Sequence, residues 1–298
     1  MTEHTTPTLS VVVVSISGAD HLKQCISSLD LQPGSAQMDV HIVSKNAAQI
    51  PKDAPWCFSS IHWHQVSAAT TVPKMRTHGI MHASADLIAL LEDDCTVGPR
   101  WQQSILEAHR STYPAVGGPV EPGAYTRGID WGIYYCEYAR FLSPFSGLVP
   151  ALAGNNVSYK KKALDLESIR EGLYEIFLHE TWQKSGIELH AANGMEVQNN
   201  HSWHLQSCVS TPFHHGRAYA GQRFGRRLAA KKFLYGVLAI MLPLLKTFRT
   251  VREVTSRQRS DLPLLKALPW VVLFHCCWSL GELVGYLAGP GRSSEKWH

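Results

Sequence analysis

Residues 86–95 read DLIALLEDDC, and this stretch decides the fold class of the chain. Its first part, 86–91, is a largely apolar run that predicts a strand buried on both faces of a sheet. The three carboxylates that follow, Glu92, Asp93 and Asp94, then fall at the carboxyl end of that strand. Open α/β sheets bind their ligands beyond the carboxyl ends of the strands, so the acidic run marks the predicted site.

Strand and helix signals alternate on both sides of this stretch. The run Leu9–Val14 is rich in β-branched residues and predicts a second strand buried on both faces. Asp20 then predicts the N-cap of a short helix. This alternation predicts an α/β fold, in which a mostly parallel sheet is flanked by helices. Further strands are predicted at 40–43, 61–64 and 115–120, and helices at 76–84, 101–109 and 165–186.

The bulk composition excludes several classes of protein. A chain of 298 residues is long enough for one large α/β domain and a smaller appendage. The net charge of +4 is too small to indicate a nucleic-acid partner. The seven cysteines are scattered and lack C-x-x-C spacing, which argues against disulfides and a zinc ribbon and favours a reducing compartment. Residues 1–9 are polar and show no signal peptide.

The acidic run has two interpretations when it is taken alone. Three consecutive carboxylates repel one another, so a cation or hydrogen-bond donors must offset their charge. Oxygen ligands on a short loop suit Mg²⁺ or Mn²⁺, with a diphosphate supplying further oxygens. The alternative is an acidic turn that caps the following helix.

Four motifs in order favour the first interpretation. They are SVVVVS at 10–15, KMRTHG at 74–79, IALLEDD at 88–94 and AGNNVS at 153–158. With this order and spacing, the chain resembles the family 2 glycosyltransferases of the GT-A fold over roughly residues 9–204. The resemblance implies an inverting transfer of a sugar from a nucleotide-diphosphate sugar, with UDP or GDP as the nucleotide, assisted by Mg²⁺ or Mn²⁺.

The resemblance also assigns residues to the metal and the diphosphate. Asp94 binds the metal, and Glu92 stands where the family usually has its first aspartate. Arg76 faces the diphosphate. His201 falls where some relatives have a histidine, as a third metal ligand or a contact to the diphosphate; the alternative is a purely structural histidine.

The remaining assignments concern the donor and the base. The resemblance places Asp93 at the sugar or ribose, Ser15 and Ser17 beside the nucleobase, and Asn155 in the loop 153–158 on the acceptor side. An inverting transfer needs a general base, and the family places an acidic residue at the start of a helix for this purpose. Glu175 is preferred because its distance to Gly186 resembles the family spacing. Glu180 is the second candidate, and the alternative is that both are solvated helix carboxylates.

The C-terminal quarter has a different composition. We predict a boundary between a transferase domain at 8–226 and an apolar, basic, helical region at 227–298. The apolar run 233–245 is too short to span a bilayer and is expected to lie in the cytoplasmic leaflet. The run 267–288 is long enough to span, although Glu282 then needs a partner. The alternative is a soluble helical subdomain.

The tail reads ALP at 267–269 and GELVGY at 281–286. With this pattern it resembles the tails of membrane-associated bacterial family 2 enzymes, which implies work at the cytoplasmic face of the cell membrane on a lipid-linked or envelope-polysaccharide acceptor. Two other functions stay open. The chain lacks the acidic residue that many relatives carry after the second strand, which gives weight to an inactive membrane scaffold of the same fold. A nucleotidyltransferase is disfavoured, because residues 15–18 are neither glycine-rich nor basic.

Overall fold

The computed structural model describes residues 7–46, 55–202, 204–224, 235 and 238–296. These fall into two compact units, one comprising Met1–Gly123 with Ser143–Asn200 and the other Ala124–Leu142 with His201–His298. The helices of the first unit are α1 (Ala19–Asp30), α2 (Val72–His82), α3 (Trp101–Ala108) and α5 (Glu175–Lys184). Those of the second are α4 (Gly128–Tyr138), α6 (Leu205–Phe224), α7 (Leu242–Ser256) and α8 (Leu264–Ala288).

All of the strands described belong to the first unit. An eight-stranded sheet has the order β3-β2-β1-β4-β9-β6-β10-β8, and a three-stranded sheet has the order β5-β11-β7. The strands are β1 (Leu9–Ser15), β2 (Met38–Ser44), β3 (Ser60–Gln65), β4 (Leu87–Glu92), β5 (Cys95–Val97), β6 (Ala115–Gly117), β7 (Val120–Pro122), β8 (Gly147–Val149), β9 (Asn156–Lys160), β10 (Leu189–Ala191) and β11 (Val197–Asn199).

The large sheet is mostly parallel, as the sequence predicts. Strands β3, β2, β1 and β4 run parallel, and β9 is antiparallel to both of its neighbours, β4 and β6. Every residue of β1 and β2 is buried, because their apolar runs are covered on both faces. The α/β class, with helices flanking a mostly parallel sheet, is confirmed.

Two predicted elements were wrong in their extent. The strand predicted at 115–120 is two strands, β6 and β7, which belong to different sheets. Gly118 lies between them, and a Cβ atom there would come within 1.8 Å of the Met195 carbonyl oxygen. The helix predicted at 165–186 is confined to α5. Gly172, just before it, has a φ of +131°, a conformation that no helix residue adopts.

The second unit is helical, and α8 is its central element. Helix α8 packs on α6 at glycines: a Cβ atom on Gly281 would lie 2.0 Å from the Phe213 carbonyl oxygen. Glu282, buried on the same helix, accepts hydrogen bonds from Trp278 Nε1 at 2.6 Å and from Tyr286 Oη at 3.0 Å. The glutamate thus has the partners that its burial requires.

The second unit comprises two stretches of the chain, Ala124–Leu142 and His201–His298. The predicted division between 8–226 and 227–298 stays a prediction. Helix α8 is long and apolar enough to cross a membrane, and 44% of its most apolar stretch is buried within the protein. The core helix of a soluble protein meets the same criteria. The apolar run predicted to lie in the leaflet, 233–245, falls partly outside the described residues.

The close approach of α8 to α6 predicts how a substitution at Gly281 changes the free energy of unfolding. Gly281→Ala is expected to lower the free energy of unfolding by about 2 kcal/mol, because the added methyl meets backbone that cannot rotate away. This loss exceeds the gain of roughly 1 kcal/mol in helix propensity. Denaturant unfolding of the detergent-solubilised protein measures it.

Leu280→Ala is the matched control, since Leu280 is on the same helix and 55% exposed. The packing described for α6 and α8 is contradicted if Gly281→Ala is as stable as the control.

Candidate functional site

The candidate site begins where β1 and β4 end side by side. Their parallel register pairs Val14 with Glu92, which brings Ser15 next to Asp93. Ser15 Oγ donates to Asp93 Oδ2 at 2.9 Å, and the Ser17 amide donates to the same carboxylate at 3.0 and 3.1 Å. Asp93 is only 1% exposed. Asp93 therefore stabilises the loop after β1. Ser15, Ser17 and Asp93, all predicted to bind the donor, lie together.

The electrostatics of Asp93 follow from this position. Burial raises the pKa of Asp93, and the neighbouring Asp94 raises it further. The hydrogen bonds from Ser17 and Ser15 oppose both effects by stabilising the carboxylate. The loop and the acidic run are thus coupled through one carboxylate.

Arg76 on α2 links the acidic run to α5. Its Nη2 donates to Glu92 Oε1 at 2.7 Å, and its Nη1 donates to Glu175 Oε2. The guanidinium is buried, whereas both carboxylates remain partly exposed. Glu175 is the first residue of α5, so a single arginine fixes a helix start against a strand end.

The cluster carries more negative than positive charge. The pKa of Glu92 is raised to about 7, because burial, together with the neighbouring Asp94 and Glu175 carboxylates, outweighs the lowering effect of Arg76. Arg76 pairs with Glu92 and Glu175, and the carboxylate of Asp94 acts on both Glu92 and Asp93. An arrangement of this kind gains stability from a cation.

Asp94 is held through its neighbours. The Cys95 thiol lies 3.4 Å from Asp94 Oδ1, and the Asn200 amide donates to the Asp94 carbonyl oxygen at 2.8 Å. Asn155 Nδ2 lies 3.4 Å from Cys95 Sγ. Burial raises the pKa of Cys95 well above its usual range, so the thiol stays protonated. Asn155 therefore contacts the residue that directly follows the acidic run.

These residues fit a hard divalent cation. Mg²⁺ and Mn²⁺ prefer oxygen ligands, and Mg²⁺ sites in nucleotide enzymes use one or two protein carboxylates with substrate phosphates. Asp94 and Glu92 at one strand end supply that number, while Asp93 is engaged by Ser15 and Ser17. The excess of negative charge in the cluster also favours binding of a cation.

Two further residues were predicted for the site, Glu180 and His201. Glu180 is on the exposed side of α5, where its carboxylate lies 3.7 Å from Lys184 Nζ. His201 is half-buried and begins the second stretch of the second unit. The first unit therefore brings together Ser15, Ser17, Arg76, Glu92, Asp93, Asp94, Asn155 and Glu175.

Sequence analysis missed two features beside Glu175. A Cβ atom on Gly154 would lie 2.4 Å from Glu175 Oε1 and 3.0 Å from Arg76 Nη2, so the loop 153–155 closes against the ion pair. Tyr159 is fully buried near the same pair, and its hydroxyl lies 2.9 Å from His179 Nε2. The only available signals were the glycine in the motif at 153–158 and the spacing of four residues between Glu175 and His179.

No protein-family profile matches the sequence, and no curated protein matches it. The structure is similar to that of the mannosyltransferase PcManGT from Pyrobaculum calidifontis, in complex with GDP-Man and Mn²⁺. The TM-score is 0.56 at 11% sequence identity, and the match covers 95% of this chain and 88% of the other. The chain therefore has the fold of a known glycosyltransferase.

The contact at Gly154 predicts a coupling. Gly154→Ala is expected to destabilise the protein by roughly 1–3 kcal/mol, because the new methyl overlaps Glu175 and pushes it from Arg76. In a Glu175→Ala background the overlapping atoms are gone, so the same change is expected to cost less. Denaturant unfolding of the four proteins in this cycle measures the difference. Equal costs in both backgrounds would contradict the contact.

Proposed function

We propose that this protein is a metal-assisted, inverting glycosyltransferase. It moves a sugar from a UDP- or GDP-sugar to a lipid-linked or envelope glycan acceptor at the cytoplasmic face of the cell membrane. The observation that carries the proposal is the buried Arg76, which joins the acidic end of β4 to Glu175 at the start of α5. The glycosyltransferase fold supports the same reaction class.

The donor lies at the ends of β1 and β4. Ser15, Ser17 and Asp93 form a hydrogen-bonded rim for the nucleoside, and Asn155 lies beside Cys95 on the other side of Asp94. Asp94 and Glu92 would hold Mg²⁺ or Mn²⁺, with His201 as a proposed further ligand. When bound, the metal neutralises charge that develops on the departing diphosphate.

Glu175 is the proposed general base. Arg76 holds Glu175 Oε2, and the other oxygen, Oε1, faces Gly154, where the absence of a side chain leaves room. Glu175 takes the proton of the acceptor hydroxyl as that oxygen attacks the anomeric carbon. The bond to the diphosphate breaks on the opposite face, so the configuration inverts. Glu180 stays the second candidate, although it is exposed and pairs with Lys184.

Arg76 has two sets of partners in this mechanism, the carboxylates of the site and the donor diphosphate. In the structure it pairs with Glu92 and Glu175. Its planar guanidinium also suits two parallel hydrogen bonds to oxygens of a bound diphosphate. Arg76 would then contact the leaving diphosphate while it still orients Glu175.

The acceptor is proposed to be membrane-bound because of the second unit. Helix α7 exposes Leu244 and Phe248, at 70% and 65%, next to Arg249 and Arg252, which are exposed as well. Apolar and basic side chains on one helix suit an anionic lipid surface. We retain 8–226 as the proposed transferase region and 227–298 as the membrane-association region.

Turnover is the first test of the proposal. Purified, detergent-solubilised protein is expected to release a nucleoside diphosphate from a donor panel that includes GDP-mannose, and only with Mg²⁺ or Mn²⁺. Asp94→Ala is expected to abolish release. Glu175→Gln is expected to lower kcat by about 10²–10⁴-fold, the usual contribution of a general base.

Glu180→Gln is the matched control, since it removes a carboxylate from the same helix and is expected to leave kcat nearly unchanged. Donor binding without turnover, across acceptors that include membrane lipids, would favour the inactive scaffold. The absence of binding by any donor would overturn the proposal.

Membrane attachment is tested separately. Phe248→Ser is expected to weaken flotation with vesicles that contain anionic lipid, because it removes a large exposed apolar side chain from α7. Leu31→Ser is the control, since Leu31 is 83% exposed but belongs to the first unit. An equal loss in both variants, or in neither, would contradict a membrane role for α7.

A further inference from the structure

Five histidines converge on one edge of the large sheet. Two are on β3, His62 and His64, and β2 contributes His41, which the parallel register pairs with His62. Helix α2 contributes His78 and His82, one turn apart. All five belong to the first unit, and none of them belongs to the cluster around Arg76.

Three of these histidines have the geometry of a ligand set. One ring nitrogen from each of His64, His78 and His82 lies within 4.8 Å of the others. The ring centroids are 4.6 Å apart for His78 and His82, 4.7 Å for His64 and His82, and 5.0 Å for His64 and His78. His82 is exposed and the other two are half-buried, so an ion can enter from solvent.

The hydrogen bonds leave one ring nitrogen of His82 and one of His64 with a lone pair. His82 Nδ1 lies 2.8 Å from the His78 carbonyl oxygen and therefore donates to it, which leaves Nε2 as an acceptor. His41 Nε2 lies 2.8 Å from the buried Asp39 carboxylate and donates to it, so His41 Nδ1 accepts from His64 Nε2 at 3.1 Å. His64 Nδ1 is then the acceptor nitrogen of that ring.

Such a chain of donors is typical of metal sites. A histidine ligand usually donates its second ring N–H to a carboxylate, a carbonyl or water, and this fixes its tautomer and orientation. Here the His78 carbonyl does so for His82, and Asp39 does so for His64 through His41.

Asp39 itself is poorly suited to bind an ion directly. Its oxygens already accept from Ser10 Oγ at 3.1 Å, Ser60 Oγ at 2.7 Å and Ser84 Oγ at 2.7 Å, as well as from His41. Although burial alone raises the pKa of Asp39, these hydrogen bonds lower it well below its usual range. Asp39 is therefore a buried anion that orients the histidines.

We propose that His64, His78 and His82 bind one divalent transition-metal ion of the imidazole-preferring class, represented by Zn²⁺, with His41 and Asp39 as positioning residues. Imidazole nitrogens suit Zn²⁺, Ni²⁺ and Cu²⁺, whereas Mg²⁺ and Mn²⁺ prefer oxygen. The site is therefore chemically distinct from the acidic one. Nitrogens of a tetrahedral zinc site lie roughly 3.3 Å apart, so the three rings must move closer together when the ion binds.

The bound ion ties an edge strand to a helix. Strand β3 is the last strand of the sheet and is only partly buried, and α2 carries Arg76. An ion shared by His64 on β3 with His78 and His82 on α2 stabilises that junction of the folded state over the unfolded one.

The experiment uses full-length protein without a histidine tag, stripped of metal by chelation and titrated with Zn²⁺. We expect one Zn²⁺ per chain and a rise in the unfolding temperature. His82→Gln and His78→Gln are each expected to raise the Kd for Zn²⁺ by at least ~100-fold, because each removes one ligand of three. Bound Co²⁺ is expected to show the visible spectrum of a tetrahedral site, and His82→Gln to lose it.

Two controls make the outcome specific. His204→Gln removes an exposed histidine from outside the cluster and is expected to leave Zn²⁺ binding unchanged. Asp94→Ala is expected to keep Zn²⁺ binding while abolishing turnover, so this inference and the proposed function can fail separately. The inference is overturned if wild-type protein binds no Zn²⁺, if His82→Gln binds it equally well, or if Asp94→Ala loses it.

Discussion

The double ion pair of Arg76 is the interaction on which the candidate site depends. A buried guanidinium is costly unless it is fully paired, and here Glu92 and Glu175 supply both partners. Without the arginine, Glu92 would be repelled by both Asp94 and Glu175. The two ion pairs of Arg76 therefore hold helix α2, the end of β4 and the start of α5 in one arrangement. Gly154 completes it by keeping that space free of a side chain.

The sequence predicts the sheet well because burial on both faces leaves a plain signal. The runs in β1 and β4 are largely apolar, and β2 alternates apolar residues with Asp39 and His41. Each strand lies within two residues of its predicted bounds. The prediction failed at 115–120 and at 165–186, where glycines at 118 and 172 change the chain direction within an otherwise suitable pattern. Backbone collisions and positive φ values of this kind arise from tertiary contacts that a local pattern does not contain.

The candidate site was predictable in part for the same reason. Neighbouring parallel strands end at one edge, so Ser15 beside Asp93 follows from the order of the strands. The pairing of Arg76 with Glu175 joins residues 99 positions apart and has no sequence signal. The histidines were overlooked, although His62 and His64 alternate on a strand and His78 and His82 are one helical turn apart. Either spacing places both rings on one face, which is the signal that was present.

Helix α2 contributes residues to both the acidic cluster and the histidine cluster. This limits which of its positions can change during evolution. Within eleven residues it carries Arg76 toward the acidic cluster and His78 and His82 toward the histidines. Gly79 between them lies so close to Val12 that a Cβ atom would come within 2.3 Å of its side chain. Most other positions of the helix are buried, and Lys74 and Met81 are the exposed ones besides His82. Substitutions should therefore accumulate at 74 and 81 far faster than elsewhere in the helix, and α2 should keep its pattern in relatives whose overall sequence has drifted beyond recognition.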